Sequence, residues 1–362
     1  MKKLDNIFFC IGIVAFAIMA MQLNLQEVID GIKRAGYWFP AVIVLWALLY
    51  IINTASWNSI IRALTRTSPN PSTGEELVMP PHTRNSSPVG RSGGVGLLWL
   101  YKVTVAGFAL NYATPGGLMG GEAYRISQLT PKIGIEKASS SVILYVMTHI
   151  FSHFWFWLVS AVLYIIREII TYTSPPPVGR SGGVGIYILL GAIILFCIAA
   201  IWLFLKGYKN GIVNSLVNIF SHIPFLKRKA AGFIERNREK FDNIDLQIST
   251  LHSKNRNTFF LAVFLEFLCR VLSSAEIMFI LLIITPDITF LDSMLILAFT
   301  SLFANMLFFL PLQLGGREGG FMLSVSGLSI SASAGVFVAL IVRLRELFWT
   351  GLGLLLIKIG KR

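Results

Sequence analysis

The chain has 362 residues, of which 55% are hydrophobic and only 14% are charged. This composition excludes an ordinary soluble domain, because apolar runs of about eighteen or more residues recur, and each is long enough to cross a bilayer. The formal net charge is +13, but the basic residues flank the apolar runs. That placement indicates contact with anionic lipid headgroups and argues against a nucleic-acid partner.

Eight apolar runs predict an all-α, polytopic membrane helix bundle that forms a single transmembrane domain over residues 1–362. The first run follows Lys2 and Lys3 and leads into a polar stretch without a small-residue cleavage site. We therefore interpret it as a retained helix and not as a removed signal peptide. The predicted spans cover residues 4–23, 39–61, 97–114, 139–166, 186–206, 258–284, 289–311 and 335–359.

Two polar stretches, 67–96 and 171–185, separate predicted spans and end on the same nine letters, Pro-Val-Gly-Arg-Ser-Gly-Gly-Val-Gly. A glycine-rich string can cradle a phosphate, but that chemistry needs a preceding strand and a lysine that these copies lack. We interpret both as duplicated loop inserts and expect disorder and no chemistry there. Because two predicted spans lie between the copies, we expect them on the same face of the membrane.

The segment from Asn111 to Arg125 lies where a membrane-spanning helix should still be running, yet it contains a proline, four glycines and two charges. Glycine and proline interrupt a helix, and broken backbone at membrane depth survives only where protein or water satisfies its polar groups. We therefore predict two half-helices, with the second one beginning near Glu122.

A second interrupted segment, 305–318, repeats this pattern late in the chain. In both segments a glutamate follows the proline by seven residues, a Gly-Gly pair lies just before that glutamate, and an arginine lies within three residues of it. Paired interruptions in the two halves of a polytopic protein are a pointer to a substrate site. The simpler alternative is that both segments are hairpin turns with glycines for close packing.

His149 and His153 are four residues apart and share a helix face, but no third ligand lies nearby in sequence. We expect them to serve as polar packing residues among aromatic side chains. Three cysteines, at positions 10, 197 and 269, have neither metal-type spacing nor an even number for disulfides. No metal and no cofactor is predicted.

Residues 206–257 form a strongly basic loop that we predict to be cytoplasmic. The eight-span count conflicts with this placement. An N-terminus inside puts the loop outside after five spans, whereas an N-terminus outside leaves Lys2 and Lys3 on the wrong face. Either the count has the wrong parity, or an interrupted segment is re-entrant.

Several ionisable residues lie inside apolar runs. Glu266 and Arg270 can pair four residues apart on one helix face, and Glu276 follows on the same span. Arg343, Arg345 and Glu346 lie within the last span. An unpaired charge at such depth costs at least about 2.5–3.5 kcal/mol, so these residues face the interior of the bundle, either as internal pairs or as ligand contacts.

An anion site follows from the interrupted segments, because the first N–H groups of a half-helix and nearby guanidiniums both attract phosphate or carboxylate. The two glutamates could receive a cationic headgroup, a hydroxyl or an arginine. The predicted binding residues are Asn111, Pro115, Gly116, Gly117, Gly120, Gly121, Glu122, Arg125, Gly315, Gly316, Arg317, Glu318 and Arg343.

At these residues the chain resembles the lysylphosphatidylglycerol synthase transmembrane-region family of flippase-like membrane proteins. The resemblance is carried by Asn111, Pro115-Gly-Gly117, Gly120-Gly-Glu122, Arg125, Pro311 with Gly315-Gly-Arg-Glu318, and Arg343. Where the family usually has an aspartate after Gly-Gly, this chain has Glu122, whose carboxylate reaches one methylene further. The best-known members add a soluble domain for aminoacyl transfer, and we expect no such activity from this chain.

The resemblance implies a protein that moves a modified lipid, or handles a lipid-linked precursor, in a bacterial inner membrane. We predict a non-enzymatic lipid flippase or transporter, with an anionic phospholipid or lipid-linked intermediate as its ligand. A homo-oligomer or a separate lipid-synthesising enzyme is the expected protein partner. The alternatives are an accessory or catalytic subunit of lipid or glycolipid modification, with Glu122, Glu318 or His149 as its base, and a small solute carrier or structural protein.

Overall fold

A computed structural model of the chain describes residues 25–66, 95–113, 120–171, 184–210, 256–306 and 316–359, with a few isolated positions before residue 25. These ranges contain ten helices and no strand. In chain order the helices are α1 (Leu25–Ala35), α2 (Trp38–Arg66), α3 (Leu97–Ala113), α4 (Gly120–Ile133), α5 (Ile135–Thr171), α6 (Val184–Asn210), α7 (Arg256–Leu281), α8 (Phe290–Met306), α9 (Gly316–Gly327) and α10 (Ala332–Ile359).

Four of the helices are long and apolar enough to cross a membrane: Trp38–Thr65, Ile135–Ile170, Tyr187–Lys206 and Arg256–Leu281. They confirm four of the eight predicted spans. The other four stay predictions. Residues 4–23 lie almost entirely outside the described ranges, α3 and α8 have 17 residues each, and α10 carries three charged residues near its middle.

The helices begin and end where local chemistry directs them. Gly36 adopts a positive φ of 53° after α1, and its N–H bonds the Ile32 carbonyl at 3.0 Å, so a glycine closes that helix. Gly134, at a φ of 82°, separates α4 from α5. At the start of α8 the Thr289 hydroxyl accepts from the Asp292 N–H at 3.1 Å, and the Thr289 N–H donates to the Asp292 carboxylate at 3.1 Å.

Two runs of four helices follow the same order, α2 to α5 and α7 to α10. Each run has a long helix, a helix of 17 residues, a short helix and a second long helix. The contacts between helices are matched as well. Helix α3 packs against α4 as α8 does against α9, and α3 packs against α10 as α8 does against α5. Helix α7 packs against α2 in the middle of the bundle.

The apolar core is divided into two large clusters. The first gathers the C-terminal parts of α2 and α10, the N-terminal parts of α5 and α7, and one face of α3 and α4. The second cluster gathers the N-terminal parts of α2 and α10 and the C-terminal part of α7. Residues of α8 and α9 complete it. Each short helix thus contributes to one cluster only, and α2, α7 and α10 run from one cluster to the other.

The predicted inserts and the basic loop lie mostly outside the described residues. Of the first insert, Val95 and Gly96 are described and directly precede α3. Of the second, Thr171 is the last residue of α5, and Val184 and Gly185 begin α6. Residues 206–210 of the predicted basic loop still belong to α6, and Arg256 begins α7.

Candidate functional site

The structure describes nine of the thirteen predicted binding residues. Pro115, Gly116 and Gly117 fall between α3 and α4, and Gly315 falls just before α9, outside the described residues. Helix α4 is described from Gly120, two residues before Glu122, and the residues before it lie outside the described part of the chain. Helix α9 begins at Gly316 and carries Glu318 in its first turn.

A clasp between α3 and α4 holds the first segment together. The Asn111 amide donates from Nδ2 to Glu122 Oε1 at 2.9 Å, while Asn111 Oδ1 accepts from the Gly121 N–H at 2.8 Å. The two helices approach so closely that a side chain at Gly121 would run into the carbonyl oxygen of Gly107. The sequence pattern of Asn111 with Gly120-Gly-Glu122 is thereby explained as one contact.

Arg125 is enclosed by aromatic rings next to this clasp. Its guanidinium carbon lies 4.7 Å from the ring centroid of Phe108, 5.2 Å from that of Tyr145 and 5.8 Å from that of Trp57. Its Nη1 lies 3.3 Å from Glu122 Oε1, and the whole residue is only 1% exposed. Because Arg125 is buried away from water, aromatic rings from three helices stabilise its positive charge in place of hydration.

In the second segment each charge of α9 pairs with a charge of α10. Arg343 Nη2 lies 2.6 Å from Glu318 Oε1, and Arg317 forms an ion pair with Glu346. The predicted residues Arg317, Glu318 and Arg343 are thus brought together. Glu346 completes the set, and its specific partner could not be predicted from sequence because that contact joins two different helices.

The most buried ion pair joins α7 to α10. Arg345 donates from Nε to Glu276 Oε1 at 2.9 Å and from Nη2 to Oε2 at 3.1 Å. Trp46 of α2 donates its indole N–H to the same carboxylate at 2.8 Å and lies with its ring 3.8 Å from the guanidinium carbon. Trp46 was not among the predicted residues, since an aromatic residue in an apolar run carries no signal of such a contact.

The predicted pair of Glu266 with Arg270 is not formed directly, because an imidazole from α5 lies between the two side chains. His149 Nδ1 is 2.8 Å from Glu266 Oε2, and His149 Nε2 is 3.2 Å from Arg270 Nη2. His153 Nδ1 is 3.3 Å from the same Arg270 atom. His149 and His153 therefore contact charged side chains, in addition to the aromatic neighbours that the sequence predicts.

These contacts form one cluster between the two apolar cores. We call it the charge cluster, and it consists of Arg125, Arg270, Arg317, Arg343 and Arg345 with Glu122, Glu266, Glu276, Glu318 and Glu346. The Tyr112 phenol, at the end of α3, lies within electrostatic reach of the guanidiniums of Arg270, Arg317 and Arg345. Tyr112 of the first interrupted segment thus lies within electrostatic reach of Arg317 of the second.

The charge cluster includes residues near the middle of the spanning helix α7 and of α10. Glu266 is ten residues after the start of α7 at Arg256, which is about 15 Å along the helix axis. A bilayer core is about 30 Å thick, so a helix that enters the core at Arg256 would hold this carboxylate close to the midplane. Charges at that depth must pair or face a polar cavity.

Two cavities open from the bundle. One of about 480 Å³ lies between the C-terminal end of α2, the start of α3 and the start of α7, and is lined by Asn58, Ser59, Arg62 and Thr258 together with apolar residues. The other, of about 220 Å³, is an apolar groove between α5, α6, α8 and α9 whose lining includes Trp157 and Phe299. Within the described ranges no group of three or more His, Cys, Asp and Glu residues could hold a metal ion.

Comparison with known proteins gives one match. The profile of a family described as Lysylphosphatidylglycerol synthase TM region matches residues 7–353 of the chain. This match confirms the resemblance that the interrupted segments indicated, and together with the four apolar helices it identifies an integral membrane protein. Neither the curated proteins nor the solved structures gave a match.

Proposed function

The chain belongs to the lysylphosphatidylglycerol synthase TM region family, and on that premise we propose that it is a lipid flippase or transporter. Its cargo is an anionic phospholipid or a lipid-linked precursor, which it moves between the leaflets of a bacterial inner membrane. The polar headgroup passes through the interior of the bundle while the acyl chains stay in the lipid.

The observation that carries this proposal is the charge cluster at mid-membrane depth. Ionisable residues at that depth are expensive and mark substrate or ion pathways. Here they come from both interrupted segments and from the helices that join the two apolar cores. Ion pairs between side chains can exchange for contacts with a charged headgroup, which is what a headgroup crossing the bilayer requires.

The arrangement of the helices supports two re-entrant hairpins. Helices α3 and α4 have 17 and 14 residues, about 26 and 21 Å, and α8 and α9 have 17 and 12 residues, about 26 and 18 Å. The described part of each is shorter than the bilayer core of about 30 Å. Because each hairpin contributes to a different apolar core, we propose that the hairpins enter from opposite faces as halves of an inverted repeat.

This topology removes the conflict over charge that the eight-span count creates. With the basic loop in the cytoplasm, the N-terminal span begins inside, as Lys2 and Lys3 require. The ends of α2, α4, α6 and α10 and the starts of α3, α5 and α7 then share the cytoplasmic face. Their basic residues obey the positive-inside rule: Arg62, Arg66, Lys102, Lys132, Lys137, Lys206, Arg256 and Lys358.

The two cavities suit the two parts of a lipid in this topology. The 480 Å³ cavity lies at the cytoplasmic face and has amide, hydroxyl and guanidinium groups in its wall, so it can admit a headgroup. The apolar groove lies between helices on the outer half and has aromatic and aliphatic walls, so it can hold an acyl chain. Rocking of one half of the repeat against the other would expose the charge cluster to each face in turn.

The enzymatic alternative receives less support from the geometry. Each of its three candidate bases is already engaged: Glu122 with Asn111 and Arg125, Glu318 with Arg343, and His149 with Glu266 and Arg270. His149 cannot abstract a proton through Nε2 while that nitrogen accepts from Arg270.

A leaflet-exchange assay tests the proposed function. The purified protein is reconstituted into liposomes that contain a fluorescent phosphatidylglycerol, and dithionite then quenches the probe in the outer leaflet. We expect protein-dependent loss of the protected inner-leaflet signal. Glu122→Gln should slow this exchange by at least about ten-fold, because glutamine can still accept from Asn111 and Arg125 but lacks the negative charge and the second acceptor oxygen.

Glu168→Gln is the matched control, since Glu168 lies near the end of α5 outside the charge cluster. It should exchange lipid at the wild-type rate. Wild-type protein that leaves the inner-leaflet signal intact with phosphatidylglycerol and with other bacterial phospholipids would contradict the proposed function.

A further inference from the structure

We propose that Arg270 of α7 binds the phosphate group of the transported lipid in the interior of the membrane. This inference rests on the proposed function and names the atom group of the cargo that the charge cluster receives. It concerns a residue outside both interrupted segments.

Arg270 differs from the other arginines of the charge cluster in its partners. Arg125, Arg317, Arg343 and Arg345 each form an ion pair with a glutamate. Within the described ranges, Arg270 has no carboxylate within 4 Å, and its side-chain contacts are to the rings of His149 and His153.

The hydrogen atoms at His149 can be assigned from these contacts. An arginine only donates, so His149 Nε2 must accept from Arg270 and carry no proton. The proton of the neutral ring is then on Nδ1, from which it is donated to Glu266 at 2.8 Å. Glu266 thus faces Arg270 only through an imidazole, and the guanidinium is not neutralised by direct contact.

Most of the donors of Arg270 remain available. Both of its contacts use Nη2. The N–H groups on Nε and Nη1 have no acceptor in the described part of the chain, and these atoms are not among the buried atoms without a partner. Arg270 is only partly buried, so these donors can turn toward a ligand. His153 Nδ1 also lies 2.9 Å from the His149 carbonyl and cannot donate there while accepting from Arg270, so its contact with Arg270 can yield.

The position of Arg270 suits a headgroup in transit. It is fourteen residues after Arg256, about 21 Å along α7, and Tyr112 at the broken end of α3 lies within its electrostatic reach. A guanidinium is weakly hydrated and matches phosphate oxygens. Phosphate is the group that phospholipids and lipid-linked precursors share, and one phosphodiester would supply the negative charge that Arg270 lacks.

Binding of short-chain ligands to the purified full-length protein tests the assignment. Calorimetric titration would compare dihexanoyl-phosphatidylglycerol, dihexanoylglycerol, which lacks the phosphate, and inorganic phosphate. We expect wild-type protein to bind the first and to bind the other two at least ten-fold more weakly. Arg270→Gln should weaken binding of the first by about ten- to hundred-fold, as expected for lost charge-assisted hydrogen bonds.

Arg167→Gln is the matched control. Arg167 also lies in a spanning helix, but it pairs with Asp292, which keeps hydrogen bonds from Thr289 when the arginine is removed. This variant should bind dihexanoyl-phosphatidylglycerol as wild type does. Arg270→Lys, which keeps the charge, should bind with intermediate affinity and tests the assignment if the glutamine variant does not fold.

Three results would overturn the assignment. The first is unchanged affinity for dihexanoyl-phosphatidylglycerol in both Arg270 variants. The others are wild-type affinity for dihexanoylglycerol, or for inorganic phosphate, that equals the affinity for dihexanoyl-phosphatidylglycerol; the phosphate result would make the ligand a free anion. The leaflet-exchange assay separates this inference from the proposed function. Arg270-dependent binding without any exchange would retain the phosphate site and refute the flippase, whereas exchange that persists at the wild-type rate in Arg270→Gln would refute the site alone.

Discussion

At the scale of single residues, we expect loss of the ion pair between Arg345 and Glu276 to destabilise the protein most, because both side chains are buried. Their side chains are 3% and 4% exposed, and they form two parallel hydrogen bonds. Removing one partner of such a pair leaves an uncompensated buried charge, which costs about 3–5 kcal/mol. Glu346 lies 3.8 Å from Arg345 but is already engaged by Arg317, so it compensates only in part.

We therefore expect Glu276→Gln to lower the free energy of unfolding by about 3 kcal/mol, measured as a large drop in the thermal midpoint in detergent. Glu318→Gln is the comparison, because its pair with Arg343 is more exposed, at 31% and 19%. The loss there should be below about 1 kcal/mol. Equal losses in the two variants would show that burial does not govern these pairs.

The sequence identifies the charged residues of the site but not most of their partners. Apolar context alone marks Glu266, Arg270 and Glu276 as interior residues. Spacing of four predicts that Glu266 and Arg270 can meet, yet His149 of α5 takes both contacts. Helical periodicity shows which residues share a face, whereas the helix that packs against this face depends on the whole fold.

At the scale of helices, close approach of backbones holds α9 against α10. A side chain at Gly335 would meet backbone atoms of Met322 and Phe321 at 2.8 Å, well inside contact distance. Small residues at helix crossings in membranes allow such packing, because van der Waals contact replaces the hydrophobic effect there.

Gly335→Ala should accordingly push α9 away from α10 and destabilise the protein by about 1–3 kcal/mol. Gly319→Ala provides the control within α9, since its nearest neighbour would be Phe303 at 3.8 Å, an ordinary contact. Alanine at that position should be neutral or stabilise by up to about 1 kcal/mol through helix propensity. Thermal unfolding of both variants measures the difference, and a tolerated Gly335→Ala would mean that the two helices do not pack as described.

The glutamates of the two interrupted segments lie in the first described turns of α4 and α9, whereas the predicted interruptions fall outside the described residues. Proline and paired glycines give a strong local signal, and α4 and α9 begin at Gly120 and Gly316, beside the predicted glutamates. Hydropathy leaves the role of α3 and α8 open, because both are apolar and the structure describes 17 residues of each. An apolar run does not reveal whether a helix crosses the membrane or returns within it.

At the scale of the whole molecule, the topology decides how a lipid could pass. Contacts between helix ends agree with hairpins that enter from opposite faces. Arg167 at the end of α5 pairs with Asp292 at the start of α8, and Trp38 at the start of α2 stacks on Phe279 at the end of α7. Both contacts belong to one face in this arrangement. In this proposed topology one apolar core lies toward each face of the membrane, and the charge cluster lies between the two cores.

The repeated nine-residue insert offers a matched pair of probes for this topology. Ser92 and Ser181 occupy the same position in the two copies, so cysteines placed there have the same local sequence. Between them, the eight-span count has two crossings, which leaves both on one face. With α3 and α4 as a re-entrant hairpin, only α5 crosses, so the two positions lie on opposite faces.

The labelling experiment uses a background without Cys10, Cys197 and Cys269. A membrane-impermeant maleimide applied to sealed, oriented vesicles should label only one of the two cysteine variants, and permeabilisation should expose the other. Labelling of both from the same side would refute the re-entrant first hairpin and, with it, the inverted repeat.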